Sequence, residues 1–267
     1  MVKSKKLRNA PTGDVTILQL RVFFTPAEIV ASESQPDDIY IVVDVIRATT
    51  TMAVMFDQGA ARVFAAESVE QARAAALKVP GRLLCGERNV KPLPGFDYGN
   101  SPVQFSQLDL AGREMILTTT NGTRAFYACP EKSTRLAGSF YNAQAVMSHA
   151  LKLALEHHSN IALVCSGELG YFALDDAVCA GYLAIELQAV YPQGVPMHLH
   201  ESVDAAIALY EAFEPPKILE HCDSAQSVFR AGLIEDPYFC MQVSKSTSIP
   251  IVMGREEETG LLLLERV

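Results

Sequence analysis

The sequence has no apolar run long enough to cross a membrane. Its run of consecutive leucines covers only 261–264, whereas a spanning helix needs about 20 apolar residues. An export signal is also absent, because the basic segment at the start of the chain is not followed by the apolar region that a signal peptide requires. We therefore expect a cytoplasmic protein that has no membrane partner.

Closely spaced cysteine pairs are missing as well. The chain has six cysteines at wide spacings and no C-x-x-C motif, which indicates reduced thiols in a long chain without an export signal. There is no basic patch either, since the net charge is -9 and the pI is about 5.2. Nucleic-acid binding needs local positive charge, so we expect no nucleic-acid partner.

The Walker A motif and the G-x-G-x-x-G motif are both absent, which argues against a nucleotide-binding fold. The composition, with 49% hydrophobic and 20% charged residues, is typical of a soluble globular protein. No linker rich in Pro, Gly or Ser divides the 267 residues. We predict a single domain over 1–267 with a flexible tail at 1–13, and both a monomer and a homodimer remain open.

Apolar strand-like segments alternate with helical segments along the chain. The predicted strands are 15–24, 39–46, 62–66, 82–87, 114–120 and 161–167, and the long predicted helices are 69–79, 143–158, 175–190 and 201–213. This alternation predicts a layered α/β/α fold with a mostly parallel sheet. The segment 249–267 reads instead as two short strands around a polar turn, so we expect a mixed sheet.

Polar residues are concentrated in the loops that follow the predicted strands. These residues are Asp44, Arg47, Thr49, Glu87, Arg88, Thr119, Thr120, Asn121, Gly122, Thr123, Ser139, Asn142, Cys165, Gly167 and Asp176. In open α/β sheets, ligands bind beyond the carboxyl ends of the strands. Hydroxyls, backbone N–H groups and guanidinium suit a phosphate, and carboxylates without histidine suit Mg²⁺. The pattern therefore indicates phosphoryl chemistry.

Each of these features also has a structural interpretation. Thr49 to Thr51 could be β-branched strand residues, and Asp176 could stabilise a helix dipole. Cys165 could be a small buried hydrophobic residue, and the two arginines could lie on the surface. Asn121-Gly122-Thr123 matches an N-glycosylation acceptor, but without an export signal we interpret it as a tight turn that binds an anion.

Five motifs resemble those of one known family. "VVDVIRATTT", "GERNVKPLPGFDYGNSP", "LTTTNGTRA", "GSFYNA" and "CSGELGYFALDDAVCAG" are similar, in this order, to the signatures of the 2-phosphosulfolactate phosphatases, the ComB family. The resemblance covers about residues 39–185 strongly. It implies an α/β fold and Mg²⁺-dependent hydrolysis of (2R)-2-phospho-3-sulfolactate to sulfolactate and phosphate, a step of coenzyme M biosynthesis in methanogens.

On this hypothesis the substrate is a small phosphorylated anion, and Mg²⁺ is held by carboxylates drawn from Asp44, Glu87 and Asp176. Arg47 and Arg88 would neutralise charge on the phosphoryl group. The expected substrate-binding residues are Thr49, Thr119, Thr120, Asn121, Gly122, Thr123, Ser139, Asn142 and Gly167.

The nucleophile remains open between metal-activated water, the Asp44 side chain and Cys165. We favour water, because position 46 is Ile and the D-x-D motif of haloacid-dehalogenase phosphatases is therefore absent. An alternative function is a binding or sensor protein that holds a phosphorylated or sulfonated acid without hydrolysing it.

Overall fold

A computed structural model describes residues 17–32 and 37–267. The predicted flexible tail at 1–13 lies outside the described residues. The first half of the chain forms β1 (Leu18–Phe23), α1 (Ala27–Ala31), β2 (Ile39–Val43), α2 (Ala48–Asp57), β3 (Arg62–Ala65), α3 (Val69–Lys78), β4 (Leu83–Arg88), β5 (Lys91–Pro92), α4 (Pro102–Phe105), β6 (Glu114–Thr118) and α5 (Gly122–Ala128).

The second half contains the longest helices. It forms β7 (Thr134–Gly138), α6 (Ala143–His157), β8 (Ile161–Cys165), α7 (Leu174–Val190), β9 (Met197–Leu199), α8 (Glu201–Ala212), α9 (Asp223–Arg230), α10 (Glu235–Cys240), β10 (Pro250–Arg255) and β11 (Leu262–Arg266). Short 3-10 turns precede α6 and α9. Thr49 to Thr51 lie in α2, so their interpretation as strand residues is wrong.

The strands form one sheet in the order β5-β4-β6-β3-β11-β10-β7-β2-β8-β1-β9. Two groups are parallel within themselves: β4, β6 and β3 on one side, and β7, β2, β8, β1 and β9 on the other. The hairpin of β10 and β11 lies between them and pairs antiparallel with both groups. The structure therefore confirms a mixed, mostly parallel sheet in an α/β fold.

The hairpin also determines the direction of the two groups. Three successive antiparallel pairings, β3 with β11, β11 with β10, and β10 with β7, make the two groups run in opposite senses along the ladder. The loops that follow the two groups nevertheless meet. Leu169 follows β8, and its N–H donates a hydrogen bond of 3.1 Å to the side chain of Asn121, which follows β6.

Strand β2 shows how helices cover both faces of the sheet. All five of its residues are buried, and Ile41 and Val43 pack into the same core as α6 and α7, whereas Tyr40 and Val42 pack on the other side with α2 and α5. Alternate residues of a strand point to opposite faces, so both faces of the sheet are covered. Each buried aliphatic side chain stabilises the fold by about 1.5–3 kcal/mol.

None of the helices in the described residues combines the length and the apolar character that crossing a bilayer demands.

Candidate active site

A cleft lies where the loops after β2, β4, β6 and β8 meet α9. The residues that line it are Asp44, Ile46, Arg47, Glu87, Asn89, Val90, Asn100, Thr120, Asn121, Glu168, Leu169, Ser224, Ser227 and Val228. Three of these side chains are acidic, and Arg47 is the one basic residue lining the cleft in the described part of the chain. The cleft thus has an excess of negative charge.

Asp44 is the first residue after β2 and is buried. Its Oδ1 accepts a hydrogen bond of 3.1 Å from the N–H of Ala48, the first residue of α2. The pKa of Asp44 is raised to about 6, mainly by burial and also by the nearby negative charges of Glu87 and Glu168, while hydrogen bonds from Ala48 and Gly122 act in the opposite direction. An acid in this position lacks a compensating positive charge.

Glu87, in β4, is held by the loops on either side of it. Its Oε1 accepts hydrogen bonds from the backbone N–H of Thr120 at 2.8 Å and from the hydroxyl of Thr120 at 3.0 Å. Its Oε2 accepts a hydrogen bond of 2.9 Å from the N–H of Val90. The carboxylate therefore fixes the loop after β6 against the turn between β4 and β5.

Asp175 and Asp176 begin α7 behind the cleft, and both are buried. Asp176 accepts hydrogen bonds of 3.0 Å from the N–H groups of Val45 and Gly167, which ties the loops after β2 and β8 together. Burial raises the pKa of Asp176 well above its usual range, and the charges of Asp175 and Asp44 add to this effect. Burial likewise raises the pKa of Asp175 to about 7.

The two predicted arginines differ in position. Arg47 lines the cleft, and its Nη1 lies 2.8 Å from Oδ2 of Asp236 in a buried ion pair. Arg88 does not line the cleft. Its guanidinium instead donates to the carbonyl of Glu87 at 2.7 Å and to the hydroxyl of Thr118 at 3.0 Å. The geometry brings only Arg47 to the cleft.

The turn at Asn121-Gly122 has a tight steric requirement. A Cβ atom on Gly122 would lie 2.6 Å from Oδ2 of Asp44 and 2.6 Å from Cβ of Ala48, so only glycine lets α5 approach the acid this closely. Thr120 and Asn121 line the cleft. Thr119 and Thr123 are buried and bond to each other, because each side-chain oxygen accepts the other residue's N–H at 3.1 Å.

Other residues predicted to bind substrate do not line the cleft. Ser139 and Asn142 are fully buried, and Oδ1 of Asn142 accepts the N–H of Ser139 at 3.0 Å. The hydroxyl of Thr49 donates to the carbonyl of Asp44 at 2.9 Å. The N–H of Gly167, expected to bind substrate, is already donated to Asp176. These groups shape the loops around the cleft.

Cys165 is the last residue of β8 and is fully buried in the core. Burial raises the pKa of its thiol well above the usual range, and the charge of Asp176 adds to the shift. A thiol is a poor nucleophile in its protonated form. The position and protonation of Cys165 therefore do not suit covalent catalysis.

Several cleft residues were not predicted as site residues from the sequence. Asn100 and Glu168 lie in loops that the strand pattern singled out, but their types alone do not distinguish them from other loop residues. Ser224 and Ser227 lie on α9, about which the strand pattern says nothing. Asp236 pairs with a residue 189 positions earlier in the chain, and no local spacing indicates such a contact.

Asp44 and Glu87 are two acids at the cleft that can offer oxygen atoms to a magnesium ion. Within residues 17–32 and 37–267, no three acidic, histidine or cysteine side chains stand close enough to enclose a metal ion. Mg²⁺ does not require such a cage, because it keeps several waters and is bound by one or two carboxylates together with substrate phosphate. Asp44 and Glu87, which both line the cleft, fit this manner of binding.

The raised pKa of Asp44 predicts an unusual pH dependence. An acid whose folded pKa lies above its unfolded value of 3.8 destabilises the fold as pH rises from 3.8 through about 6. Measured without metal, the unfolding free energy of Asp44→Asn minus that of the wild type should therefore grow between pH 4 and pH 8, by on the order of 2–3 kcal/mol. A difference that stays constant over this range would contradict the assignment of Asp44 as a buried, unpaired acid.

Comparisons with known proteins agree with the motifs. The family model described as 2-phosphosulpholactate phosphatase matches residues 23–255. A protein named probable 2-phosphosulfolactate phosphatase from Deinococcus radiodurans is 35% identical over 92% of this chain and 98% of its own length. A protein of the same name from Thermus thermophilus is 36% identical over 90% and 97%. The chain belongs to the 2-phosphosulfolactate phosphatase family.

Proposed function

We propose that the protein is a Mg²⁺-dependent phosphatase that hydrolyses 2-phosphosulfolactate, or a closely related 2-phospho-hydroxy acid, to the hydroxy acid and phosphate. Family membership supports the reaction class and the substrate. The observation that carries the metal dependence is the cleft itself, where Asp44, Glu87 and Glu168 face a single arginine that is already paired with another acid.

Asp44 and Glu87 are the proposed metal ligands at the cleft. Asp176 remains a candidate, but it does not line the cleft, and its hydrogen bonds with the N–H groups of Val45 and Gly167 fit a role in shaping the loops. When bound, Mg²⁺ would supply positive charge to the phosphate oxygens and lower the pKa of bound water. Without positive charge from some source, an acidic cleft would repel a phosphorylated, sulfonated carboxylate.

The remaining cleft residues would orient the phosphoryl group. Arg47 makes two hydrogen bonds within the described chain, to Asp236 and to the carbonyl of Val90, and a guanidinium has five N–H donors. The free donors, with the side-chain N–H groups of Asn121, can hold phosphate oxygens. Water remains our proposed nucleophile, with the side chain of Asp44 as the alternative.

The proposal extends to the setting of the reaction. We propose that the enzyme acts in the cytoplasm, where its six free cysteines would stay reduced. We also propose that its product enters coenzyme M biosynthesis, as the family resemblance implies.

Phosphate release from 2-phosphosulfolactate tests the proposal directly. The purified protein should release phosphate with Mg²⁺, lose nearly all activity in excess EDTA, and regain it when Mg²⁺ is added back, because the acidic cleft needs the cation to hold the substrate. Phosphoglycolate and inorganic pyrophosphate serve as control substrates and should be hydrolysed much more slowly.

Two results would overturn the proposal. Full activity in EDTA would remove the metal from the reaction. Tight binding of 2-phosphosulfolactate without any phosphate release, with Mg²⁺ present, would instead identify a binding or sensor protein.

The position of Cys165 leads to a second prediction. Cys165→Ala should retain most of the activity and lose about 1 kcal/mol of stability, because the thiol fills space in the core and does not reach the cleft. Cys129→Ala, at another buried cysteine outside the cleft, is the matched control and should behave alike. Complete inactivation of Cys165→Ala alone, with an unchanged melting temperature, would return the covalent route to consideration.

A further inference from the structure

Asp236, a buried acid of α10, does not line the cleft but contacts residues that lie at or beside it. Asp236 has a side chain that is 2% exposed. Its Oδ2 accepts a hydrogen bond of 2.8 Å from Nη1 of Arg47, and its Oδ1 accepts one of 2.6 Å from the hydroxyl of Ser101. Both oxygens of the acid are thus bound to residues from distant parts of the chain.

The first contact determines how Arg47 faces the cleft. Its Nη2 donates to the carbonyl of Val90 at 3.0 Å, so the guanidinium is held on two sides, by α10 and by the turn after β4. A planar guanidinium held by two of its nitrogens has one orientation. Its other N–H groups are then available to a ligand in a defined direction.

The second contact, with Ser101, reaches the neighbour of another cleft residue. Ser101 directly follows Asn100, which lines the cleft and is buried. Oδ1 of Asn100 has no hydrogen-bond partner among the described residues. A buried polar atom without a partner is costly, and this one borders the cleft. It therefore indicates a group that is completed when a ligand or a water molecule binds.

We propose that Asp236 is a positioning residue for the reaction, whose carboxylate orients the guanidinium of Arg47 and, through Ser101, fixes Asn100 at the cleft. The inference rests on the proposed phosphatase function. Asp236 touches neither substrate nor metal in this scheme. Asp236 would affect the reaction only through its hydrogen bonds to Arg47 and Ser101. Double mutants can distinguish such an indirect effect from a general loss of stability.

The test compares Asp236→Asn, Arg47→Gln and the double variant with the wild type. The measurements are kcat and KM for Mg²⁺-dependent phosphate release and the melting temperature of each protein. Asp236→Asn should lower kcat/KM by on the order of 100-fold, because a misdirected guanidinium loses alignment with the phosphoryl group. In the Arg47→Gln background the same change should cost less than about threefold, since Arg47 is already gone and the amide oxygen introduced by Asp236→Asn can still accept the hydroxyl of Ser101.

Three further proteins complete the design. Glu235→Gln, at an exposed acid of the same helix, is the matched control and should leave kcat/KM unchanged. Asp236→Glu should recover part of the loss of Asp236→Asn, because it restores the charge. Ser101→Ala leaves the ion pair of Arg47 and Asp236 intact and should lower kcat/KM about tenfold through Asn100, measured well below the melting transition. Its melting temperature should fall slightly, because the Ser101 hydroxyl also caps α4 by accepting the N–H of Gln104 at 3.1 Å.

Losses that multiply in the double variant, or a Ser101→Ala protein with full activity, would overturn the inference. Isothermal titration with inorganic phosphate and Mg²⁺ separates it from the proposed function. If the wild type releases no phosphate, the proposed function fails. The positioning role then stands only if the double variant loses less phosphate affinity than the two single losses, of Asp236→Asn and Arg47→Gln, combined. Ser101→Ala supplies the same binding test if Asp236→Asn does not fold.

Discussion

The burial of acidic side chains next to one another is the constraint on which the rest of this structure depends. Asp44, Asp175 and Asp176 are buried, and burial is the main cause of their raised pKa values. Neighbouring negative charges act in the same direction: those of Glu87 and Glu168 on Asp44, and that of Asp44 on Asp175 and Asp176. Backbone N–H groups compensate part of the cost. The same hydrogen bonds join the loops after β2, β6 and β8. The buried carboxylates therefore lower the stability of the fold by their charge but fix the positions of these loops. A bound cation would supply the missing compensation.

The sheet explains how distant loops reach this cluster. The hairpin of β10 and β11 separates two parallel groups that run in opposite senses. Their loops meet because α2 and α5, which begin at the cleft, pack in the same core. Gly122 allows α5 to approach Asp44, and α10 adds Asp236 from the C-terminal region. The cleft is therefore an interface between the two groups of strands.

The sequence predicted the parts of the site that depend on local pattern. Asp44 and Glu87, singled out because each lies at the end of an apolar strand, line the cleft, and so does Asn121 of the turn signal Asn121-Gly122. Their roles in binding and catalysis stay predictions. The hydroxyls of Thr49, Thr119 and Thr123 were assigned to a ligand, but they satisfy nearby backbone groups, and a residue type does not reveal that choice. The position of Asp236 beside Arg47, and that of the hairpin of β10 and β11 between the two groups of strands, result from contacts between segments far apart in the chain. Local sequence spacing does not predict such contacts.

Magnesium binding to the metal-free protein tests the central claim most directly. In a calorimetric titration with inorganic phosphate present, the wild type should bind Mg²⁺, and binding should release protons at pH 6–7, because a cation displaces protons from acids whose pKa values are raised. Asp44→Asn should bind Mg²⁺ at least about tenfold more weakly and release fewer protons. Equal Mg²⁺ affinity and equal proton release in the two proteins would contradict the account.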